Sequence, residues 1–290
     1  MPSSLDCVLC LMRQSLDAAR FASSDESIHR KVLSEVMTAI QQSQFRTPPP
    51  IIGQEIHRVI KQITQNPDPY AREKRRFNEV MLRQWDHLQQ LISTASDPFE
   101  MGIRLAIAGN TIDFALGNLN ESTVTTAIDS AICQRLNGSL AELRREIEKA
   151  KTILYLSDNT GEIVCDRLLI EMLLAPPFEK KVTLCVRGLP IINDATREDA
   201  DFVGLSAVVP VIDNGNDGLG CNLDICSDEF IQHFQEADLV LAKGLANYET
   251  LVENTTAIQP KRIAFLFKSK CPFISHFAGT ELGDFVIRIQ

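Results

Sequence analysis

Five short apolar segments, separated by polar turns and helical stretches, most constrain what this chain can fold into. They span residues 152–156, 181–186, 207–212, 238–242 and 262–267. The first is followed by a polar turn and then by a helical pattern over residues 163–174. Strands that alternate with helices are typical of βαβ units, in which the strands pair in parallel. The second half of the chain is therefore expected to form a largely parallel sheet with helices on its faces.

The first 150 residues are predicted to be helical. Leu5, Leu9, Met12 and Leu16 recur at three- and four-residue steps, which places them on one face of a helix. Further helices are predicted over residues 27–44, 51–63, 70–95 and 100–116, and the proline run at 48–50 ends the first of these. We therefore expect a helical N-terminal domain over residues 1–150 and an α/β domain over residues 151–290.

Charge is distributed unevenly along the 290 residues. The net charge is −9, and residues 1–150 carry 17 basic and 18 acidic side chains, whereas residues 151–290 carry 12 and 20. An acidic protein repels the phosphate backbone, so a nucleic-acid partner is not expected. No apolar run approaches the ~18 residues of a membrane span, and no secretion signal is evident. We expect a cytoplasmic protein without a membrane partner, and the sequence does not predict its oligomeric state.

Polar side chains follow the first two predicted strands at the point where each strand ends. Asp158 and Asn159 follow the first strand, and Asp194 lies in the loop after the second. Carboxylate and amide oxygens are the ligands that Mg²⁺ and Mn²⁺ prefer. The alternative for Asp158 and Asn159 is capping of the helix that begins near Gly161. Two acidic strand ends at one crevice favour a shared divalent cation.

Basic side chains also occur near the predicted strand ends. Arg187 lies seven residues before Asp194, and Lys243, Lys268 and Lys270 end the fourth and fifth strands. Such charges could neutralise a phosphate, although lysines at a sheet edge are the ordinary alternative. The glycine-rich signatures of dinucleotide and nucleotide-triphosphate sites are absent from the sequence.

Cys7 and Cys10 form a Cys-x-x-Cys pair that can place both sulfurs on one side of a helical turn. Cys271 would supply a third thiolate if the first helix packs against the last predicted strand, although zinc normally needs four ligands. Redox catalysis by the pair is the alternative, without the preceding strand of a thioredoxin-like site. Cys221 and Cys226 have no assigned role.

Together these motifs resemble the metal-dependent damage-control phosphatases, a former domain-of-unknown-function family, over almost the whole chain. The Cys-x-x-Cys pair resembles the prokaryotic branch of the family. The motifs that carry the resemblance lie at residues 5–11, 108–114, 158–162, 187–199, 243–251 and 268–272. The sequence departs from the family pattern at two motifs. Leu245 and Ala246 stand where Gln and Gly are frequent, so a polar contact to the substrate is missing, and Thr160 stands where Ala is common.

The resemblance implies a helical N-terminal part packed on a Rossmann-like three-layer α/β/α domain with a mostly parallel sheet. It also implies a divalent cation, Mn, Co, Ni or Mg, held by Asp158, Asn159 and Asp194, of which Asp158 and Asp194 would be catalytic. The implied substrate-binding residues are Asn110, Asp113, Glu162, Arg187, Lys243, Gly244, Asn247, Tyr248 and Lys268.

The function expected from these motifs is a metal-dependent phosphomonoesterase that acts on small phosphorylated metabolites, such as sugar phosphates or damaged phosphometabolites. Two alternatives remain open. A methyltransferase that uses S-adenosylmethionine would also have a Rossmann-like sheet, although its glycine-rich first loop is poorly matched by residues 157–161. A non-catalytic sensor of phosphometabolites would bind phosphate with metal but would not turn it over.

Overall fold

A helical N-terminal part and a mostly parallel sheet make up the computed structural model, which describes residues 4–43, 47–109, 121–253 and 262–290. This architecture confirms the predicted fold class. Among the described residues, no helix is both long and apolar enough to cross a membrane.

The first three helices form a unit with its own apolar cluster. They are α1 (Leu5–Ala22), α2 (Glu26–Gln42) and α3 (Pro49–Thr64). Asp25 begins α2 by accepting a hydrogen bond from the backbone N–H of Ser27. Two prolines occupy the first turn of α3, where a backbone N–H has no partner within the helix. The proline run therefore starts α3.

Most of the apolar stripe predicted on α1 lies outside the face that packs, although Met12 contacts the apolar cluster of the three helices. Leu5 and Leu9 are 77% and 73% exposed, and Met12 and Leu16 are only half-buried. The buried side chains of α1 are Leu11, Ser15, Ala18 and Ala19. Small residues permit a close approach of neighbouring helices, so packing against α2 and α3 selects a face that hydrophobicity alone does not mark.

Five further helices precede the main strands. They are α4 (Ala71–Arg83), α5 (Trp85–Thr94), α6 (Pro98–Ala108), α7 (Glu121–Ala131) and α8 (Leu140–Lys149). The single helix predicted over residues 70–95 is wrong, because the chain breaks at the buried Gln84. The Gln84 side chain accepts a hydrogen bond from the Thr125 hydroxyl at 2.7 Å, a tertiary contact that gives no local signal.

Seven strands form one sheet in the order β1-β7-β6-β5-β2-β3-β4. Their bounds are β1 (Leu136–Asn137), β2 (Thr152–Leu156), β3 (Lys181–Val186), β4 (Val211–Asp213), β5 (Leu239–Lys243), β6 (Arg262–Lys268) and β7 (Phe285–Ile289). Every neighbouring pair is parallel except β6 with β7. The strand predicted at 207–212 begins later, after a 3₁₀ turn at Leu205–Ala207. Neither β1 nor β7 was predicted.

Helices cover both faces of the sheet. Those that follow β2 are α9 (Glu162–Leu174), α10 (Arg197–Phe202), α11 (Asp228–Glu236), α12 (Gly244–Leu251) and α13 (Pro272–Ala278). Ile153 and Tyr155 belong to an apolar cluster with α4, α6 and α9, whereas Leu154 and Leu156 belong to one with α11, α12 and α13. The first cluster contains residues from both halves of the chain, and β1 comes from the N-terminal half. The domain boundary at residue 150 stays a prediction.

The strand order reverses at β2. β3 and β4 lie on one side of β2, and β5 and β6 lie on the other. In open parallel sheets, the crevice at the carboxyl ends of the strands at such a reversal is the usual ligand site. The residues that follow β2 and β5 are therefore the first place to look for function.

Candidate active site

Two loops meet at this crevice. The β2 loop, residues 157–161, follows β2, and the β3 loop, residues 187–196, follows β3. Their backbones are joined by hydrogen bonds from Thr160 N to Asn193 O (2.8 Å) and from Ala195 N to Asp158 O (2.9 Å). An isolated β-bridge also pairs Asn159 with Asp194. The three predicted metal ligands thus lie on adjoining loops, as their positions at neighbouring strand ends indicated.

The sharp entry from the β2 loop into α9 requires Gly161. Its φ of +74° lies in the region that side-chain-bearing residues avoid, and a Cβ there would overlap the ring of Phe77. Its N–H donates to Asn78 Oδ1 at 2.7 Å. Phe77 and Asn78 belong to α4, so a helix of the N-terminal part contacts the β2 loop directly.

Arg187 is the positive charge nearest to the candidate metal ligands. Its buried guanidinium donates from Nε to Asp194 Oδ2 at 2.6 Å, and Nη2 lies 3.9 Å from Asp158 Oδ1. It also donates to Asn247 Oδ1 at 3.4 Å and to Cys221 Sγ at 3.6 Å. One cation therefore orients carboxylates from both loops.

Crowding of carboxylates marks the centre of the site. Burial first, and then the charges of Glu162 and Asp194, raise the pKa of Asp158 well above its usual value. Burial also raises the pKa of Asp194, although Arg187 acts in the opposite direction. Asn159 Nδ2 donates to Asp158 Oδ2 at 2.7 Å and to Glu162 Oε2 at 3.2 Å. The acidic groups here are more numerous than Arg187 alone can neutralise.

Lys243 lies beneath these carboxylates with none of its surface exposed. Its ammonium donates to Glu162 Oε1 and Asp166 Oδ1, each at 2.7 Å, and to the carbonyl of Ala106 at 2.5 Å. Burial alone lowers the pKa of Lys243, but Asp166 and Glu162 raise it above its usual value. All three ammonium protons are used within the protein, so Lys243 holds Glu162 and α6 in place.

Asp166 and Tyr155 complete this buried network and were not predicted from the sequence. The Tyr155 hydroxyl donates to Asp166 at 2.6 Å, and burial, opposed by Lys243, raises the pKa of Asp166 to about 6. Asp166 lies four residues after Glu162 on α9, a spacing that places both side chains on one helical face. That spacing is a signal in the sequence that could have identified it.

Gly244 and Asn247 connect β5 to the same site. Gly244 has a φ of +78°, and a Cβ there would overlap the Asp158 carboxylate. Asn247 Nδ2 donates to Lys243 O at 2.7 Å and to Ser157 O at 3.2 Å. The start of α12 therefore packs directly against the β2 loop.

The remaining predicted substrate residues are placed differently. Tyr248 is buried in the apolar layer on the other face, with ring centroids 5.1 Å from Phe265 and 4.8 Å from Phe267. Lys268 is half-buried at the end of β6. Asn110 and Asp113 lie outside the described residues. The role of each in binding substrate stays a prediction.

The donor set can be tested for its fit to a divalent cation. Asp158, Asn159 and Asp194 offer only oxygen ligands, and the carboxylates repel one another. The buried Thr160 hydroxyl has no hydrogen-bond partner among the described residues. Among those residues, no three His, Cys, Asp or Glu side chains already have the spacing of a metal site. The chemistry of two carboxylates and an amide fits Mn²⁺ or Mg²⁺.

The three candidate thiols are neighbours, with Cys10 exposed and Cys7 and Cys271 half-buried. Partial burial first, and then Cys271, Cys7 and Glu249, raise the pKa of Cys10. Burial raises the pKa of Glu249 to about 7. A metal or redox role for Cys7, Cys10 and Cys271 stays a prediction.

Comparisons with known proteins agree with this architecture. Residues 3–286 match the family model described as the damage-control phosphatase ARMT1-like domain. An uncharacterised protein of Methanocaldococcus jannaschii is 33% identical over 97% of this chain and 93% of its own length. A damage-control phosphatase of Archaeoglobus fulgidus is 30% identical, over 98% of this chain and 97% of its own length.

A relative of known structure extends the comparison. The damage-control phosphatase PH1575 of Pyrococcus horikoshii is 31% identical over 99% of this chain and 97% of its own length. The crystal structure titled as a DUF89 family protein from that organism superposes with a TM-score of 0.89 at 29% identity, covering 99% of this chain and 98% of the other. The resemblance drawn from the motifs is confirmed, and assignment to the Cys-x-x-Cys branch stays a prediction. This chain belongs to the family of damage-control phosphatase ARMT1-like domains.

Proposed function

We propose that this protein is a metal-dependent phosphomonoesterase that hydrolyses small phosphorylated metabolites, with sugar phosphates and damaged phosphometabolites as the candidate classes. The observation that carries the proposal is the meeting of Asp158, Asn159 and Asp194 on adjoining loops beside Arg187. The names of the relatives, two of which are damage-control phosphatases, support it.

Asp158, Asn159 and Asp194 would hold the cation, which would be Mn, Co, Ni or Mg. When bound, such a cation supplies positive charge that polarises a phosphoryl oxygen and orients the attacking nucleophile. The nucleophile is either a water molecule or the Asp158 carboxylate. Asn159 Nδ2 donates to Asp158 and Arg187 Nε donates to Asp194, so both carboxylates are held in place before any ligand arrives, as preorganised catalysis requires.

The protein's own positive groups would receive the phosphate. The N-termini of α9 and α12 both begin at the site, and the N-terminus of a helix favours an anion. Arg187 offers a guanidinium that two acceptors already orient. Lys243 contributes by holding Glu162, because its ammonium is fully engaged. These placements support a site for one phosphoryl group beside a cation.

The test is hydrolysis of p-nitrophenyl phosphate by protein freed of metal with a chelator, with and without added Mn²⁺, Co²⁺, Ni²⁺ or Mg²⁺. We expect activity only with added metal, and a loss of at least about 100-fold in D158N and in D194N. D224N changes an exposed acidic residue of a surface turn and is the matched control. Activity in the presence of chelator, or full activity in D158N, would contradict the proposal.

The two alternative functions give different outcomes with the same protein. A methyltransferase would bind S-adenosylmethionine with measurable heat in a calorimeter, whereas a phosphatase would not. A sensor would bind phosphometabolites in the presence of metal without releasing inorganic phosphate. A panel of phosphorylated metabolites, assayed for phosphate release with each cation, would identify the substrate class.

A further inference from the structure

We propose that Asn78 is a positioning residue that locks the β2 loop and the β3 loop together, and so sets the separation of the residues predicted to bind metal. The inference rests on the proposed function in one respect, that Asp158 and Asp194 act as a unit. Asn78 lies on α4 in the helical N-terminal part, outside every motif on which the function was based.

The geometry assigns two hydrogen bonds to the Asn78 side chain. Its Oδ1 accepts from Gly161 N at 2.7 Å, at the end of the β2 loop. Its Nδ2 donates to Asp199 Oδ1 at 2.9 Å. Asp199 in turn accepts at Oδ2 from Thr196 N (2.9 Å) and Thr196 Oγ1 (2.8 Å), where the β3 loop enters α10. One side chain therefore connects both loops through a continuous chain of hydrogen bonds.

The polarity of this chain requires an amide at position 78. Gly161 presents an N–H and needs an acceptor, whereas Asp199 presents a carboxylate and needs a donor. Asn offers one of each on a short side chain. Asn78 has no exposed surface, so water cannot replace either partner, and an unmet buried polar group costs about 1–3 kcal/mol.

Neighbours on α4 reinforce the same contact. Phe77 packs against the glycine at the end of the β2 loop, as described above. Lys74 lies 3.5 Å from Asp199 Oδ2 and 3.1 Å from Asp68 Oδ2, so it neutralises the carboxylate that receives the Asn78 amide. One turn of α4 thus contacts the β2 loop and Asp199, which in turn binds Thr196 at the end of the β3 loop.

A swap of polarity tests the role of Asn78. N78D places two carboxylates face to face, and D199N removes the acceptor that the Asn78 amide needs. The double variant N78D/D199N restores complementary groups, because the introduced carboxylate accepts from Gly161 N and from the amide introduced by D199N. N222D is the matched control, since among the described residues the Asn222 side chain makes one hydrogen bond, accepting from Asp224 N at 3.3 Å, which a carboxylate also does.

The first readout is hydrogen exchange of metal-free protein over residues 157–166 and 187–199. We expect faster exchange in both segments in N78D, together with a Mn²⁺ concentration for half-maximal binding that is raised about 10-fold or more. Mn²⁺ binding is followed by the loss of the free-ion electron paramagnetic resonance signal. For p-nitrophenyl phosphate, kcat should fall with little change in KM, and N78D/D199N should recover most of each property.

The outcomes separate this inference from the proposed function. Unchanged exchange in N78D, or a change confined to the β2 loop, would overturn the role of Asn78 whether or not the protein is a phosphatase. A defect in N78D/D199N as large as that in N78D, or larger, would also overturn it, because a merely structural role predicts no rescue by the second substitution. If wild-type protein hydrolyses no phosphoester, the proposed function fails. The positioning role of Asn78 is still supported if hydrogen exchange is faster in both loops in N78D and returns to the wild-type rate in N78D/D199N.

Discussion

Gly244 leaves room for a candidate catalytic carboxylate because it has no Cβ. Asp158 packs against the Cα of Gly244, whose φ is +78°. The G244A variant should therefore push the carboxylate away, and we expect a loss of at least about 100-fold in metal-dependent phosphatase activity. The loss of stability should be modest, about 1–2 kcal/mol from the backbone conformation, measured by urea unfolding.

Gly279 provides the matched control for this substitution. It has a φ of +66° at the end of α13, and no atom of the described residues beyond its chain neighbours lies within 4 Å of a Cβ built there. G279A should incur the same backbone cost and retain activity. Equal activity of G244A and G279A would show that contact with Asp158 does not matter.

His57 predicts a defined response to pH. Burial, and then the charge of Lys61, lower the pKa of His57 to about 4, from an ordinary 6.5. The unfolded chain therefore binds a proton below pH 6.5 that the folded protein does not, and stability from neutral His57 is lost as the pH falls from about 6.5 to 4. Relative to H57Q, wild-type protein should lose about 2 kcal/mol between pH 7.5 and 5.

The measurement is urea unfolding of both proteins at each pH, because other groups also titrate and only the difference isolates His57. H276Q serves as the control, at an exposed position on α13. Its stability should run parallel to that of wild type. If the free energy of unfolding of H57Q also changes with pH in the same way as that of wild-type protein, His57 is not held neutral by burial.

At the scale of elements, α6 links the N-terminal part to the buried network, because the carbonyl of Ala106 receives the Lys243 ammonium. Asp97 begins this helix by accepting from the N–H groups of Phe99 and Glu100, and it pairs with Arg144 at 2.7 Å. We expect D97A to lower the free energy of unfolding by about 1–2 kcal/mol, measured with urea.

Asp97 stabilises α6 through a helix cap and through an ion pair, and Ser139 shows what a cap contributes without an ion pair. It begins α8 by accepting a hydrogen bond at its hydroxyl oxygen from the Glu142 N–H at 3.1 Å, and a serine carries no charge with which to form an ion pair. S139A should therefore cost about 1 kcal/mol or less. The same loss in R144A as in D97A would indicate that the ion pair, and not the cap, stabilises α6.

The elements that could be predicted from sequence are those with a local signal. β2, β3, β5 and β6 are apolar runs flanked by turns, and their observed bounds differ from the predicted ones by at most one residue. β1 has only two residues, too few for a pattern. β7 (Phe285–Ile289) is an apolar, β-branched run like those of the predicted strands, so it had a local signal that was missed. The break at Gln84 and the packed face of α1 depend on tertiary contacts, which override local preference.

At the scale of the whole molecule, Lys243 unites β5, α9 and α6 through one ammonium. K243M would leave two carboxylates in a fully buried pocket without a counter-charge. We expect a loss of about 3–5 kcal/mol in the free energy of unfolding, and partial recovery in K243M/D166N, which removes one of the two charges. Thermal and urea unfolding would measure both.

An exposed ion pair supplies the comparison. Lys149 pairs with Glu146 at 2.8 Å on the surface of α8, and K149M should change stability by less than about 1 kcal/mol. A similarly small effect in K243M would mean that the buried carboxylates are protonated in the folded protein and need no partner.

The candidate site was predictable to the extent that topology determines it. Neighbouring parallel strands end at one edge of the sheet, and this brings together Asp158, Asn159, Asp194 and Arg187. Their positions after predicted strands were therefore enough to identify them. Asn78 and Tyr155 could not be found in this way, because their partners are 83 and 11 residues distant in sequence and are chosen by helix packing. Sequence patterns thus identify the residues at strand ends, whereas packing selects those that support them.

The strand order also has a consequence for synthesis of the chain. Among the strands that the structure describes, β1 pairs with β7 alone, and Leu136 pairs with Phe285, about 150 residues later. While the ribosome is still translating the intervening residues, β1 has no strand to join. The final docking of this edge must therefore await synthesis of residues 285–289, and a nascent protein stalled before residue 285 should carry β1 unpaired and accessible to chaperones.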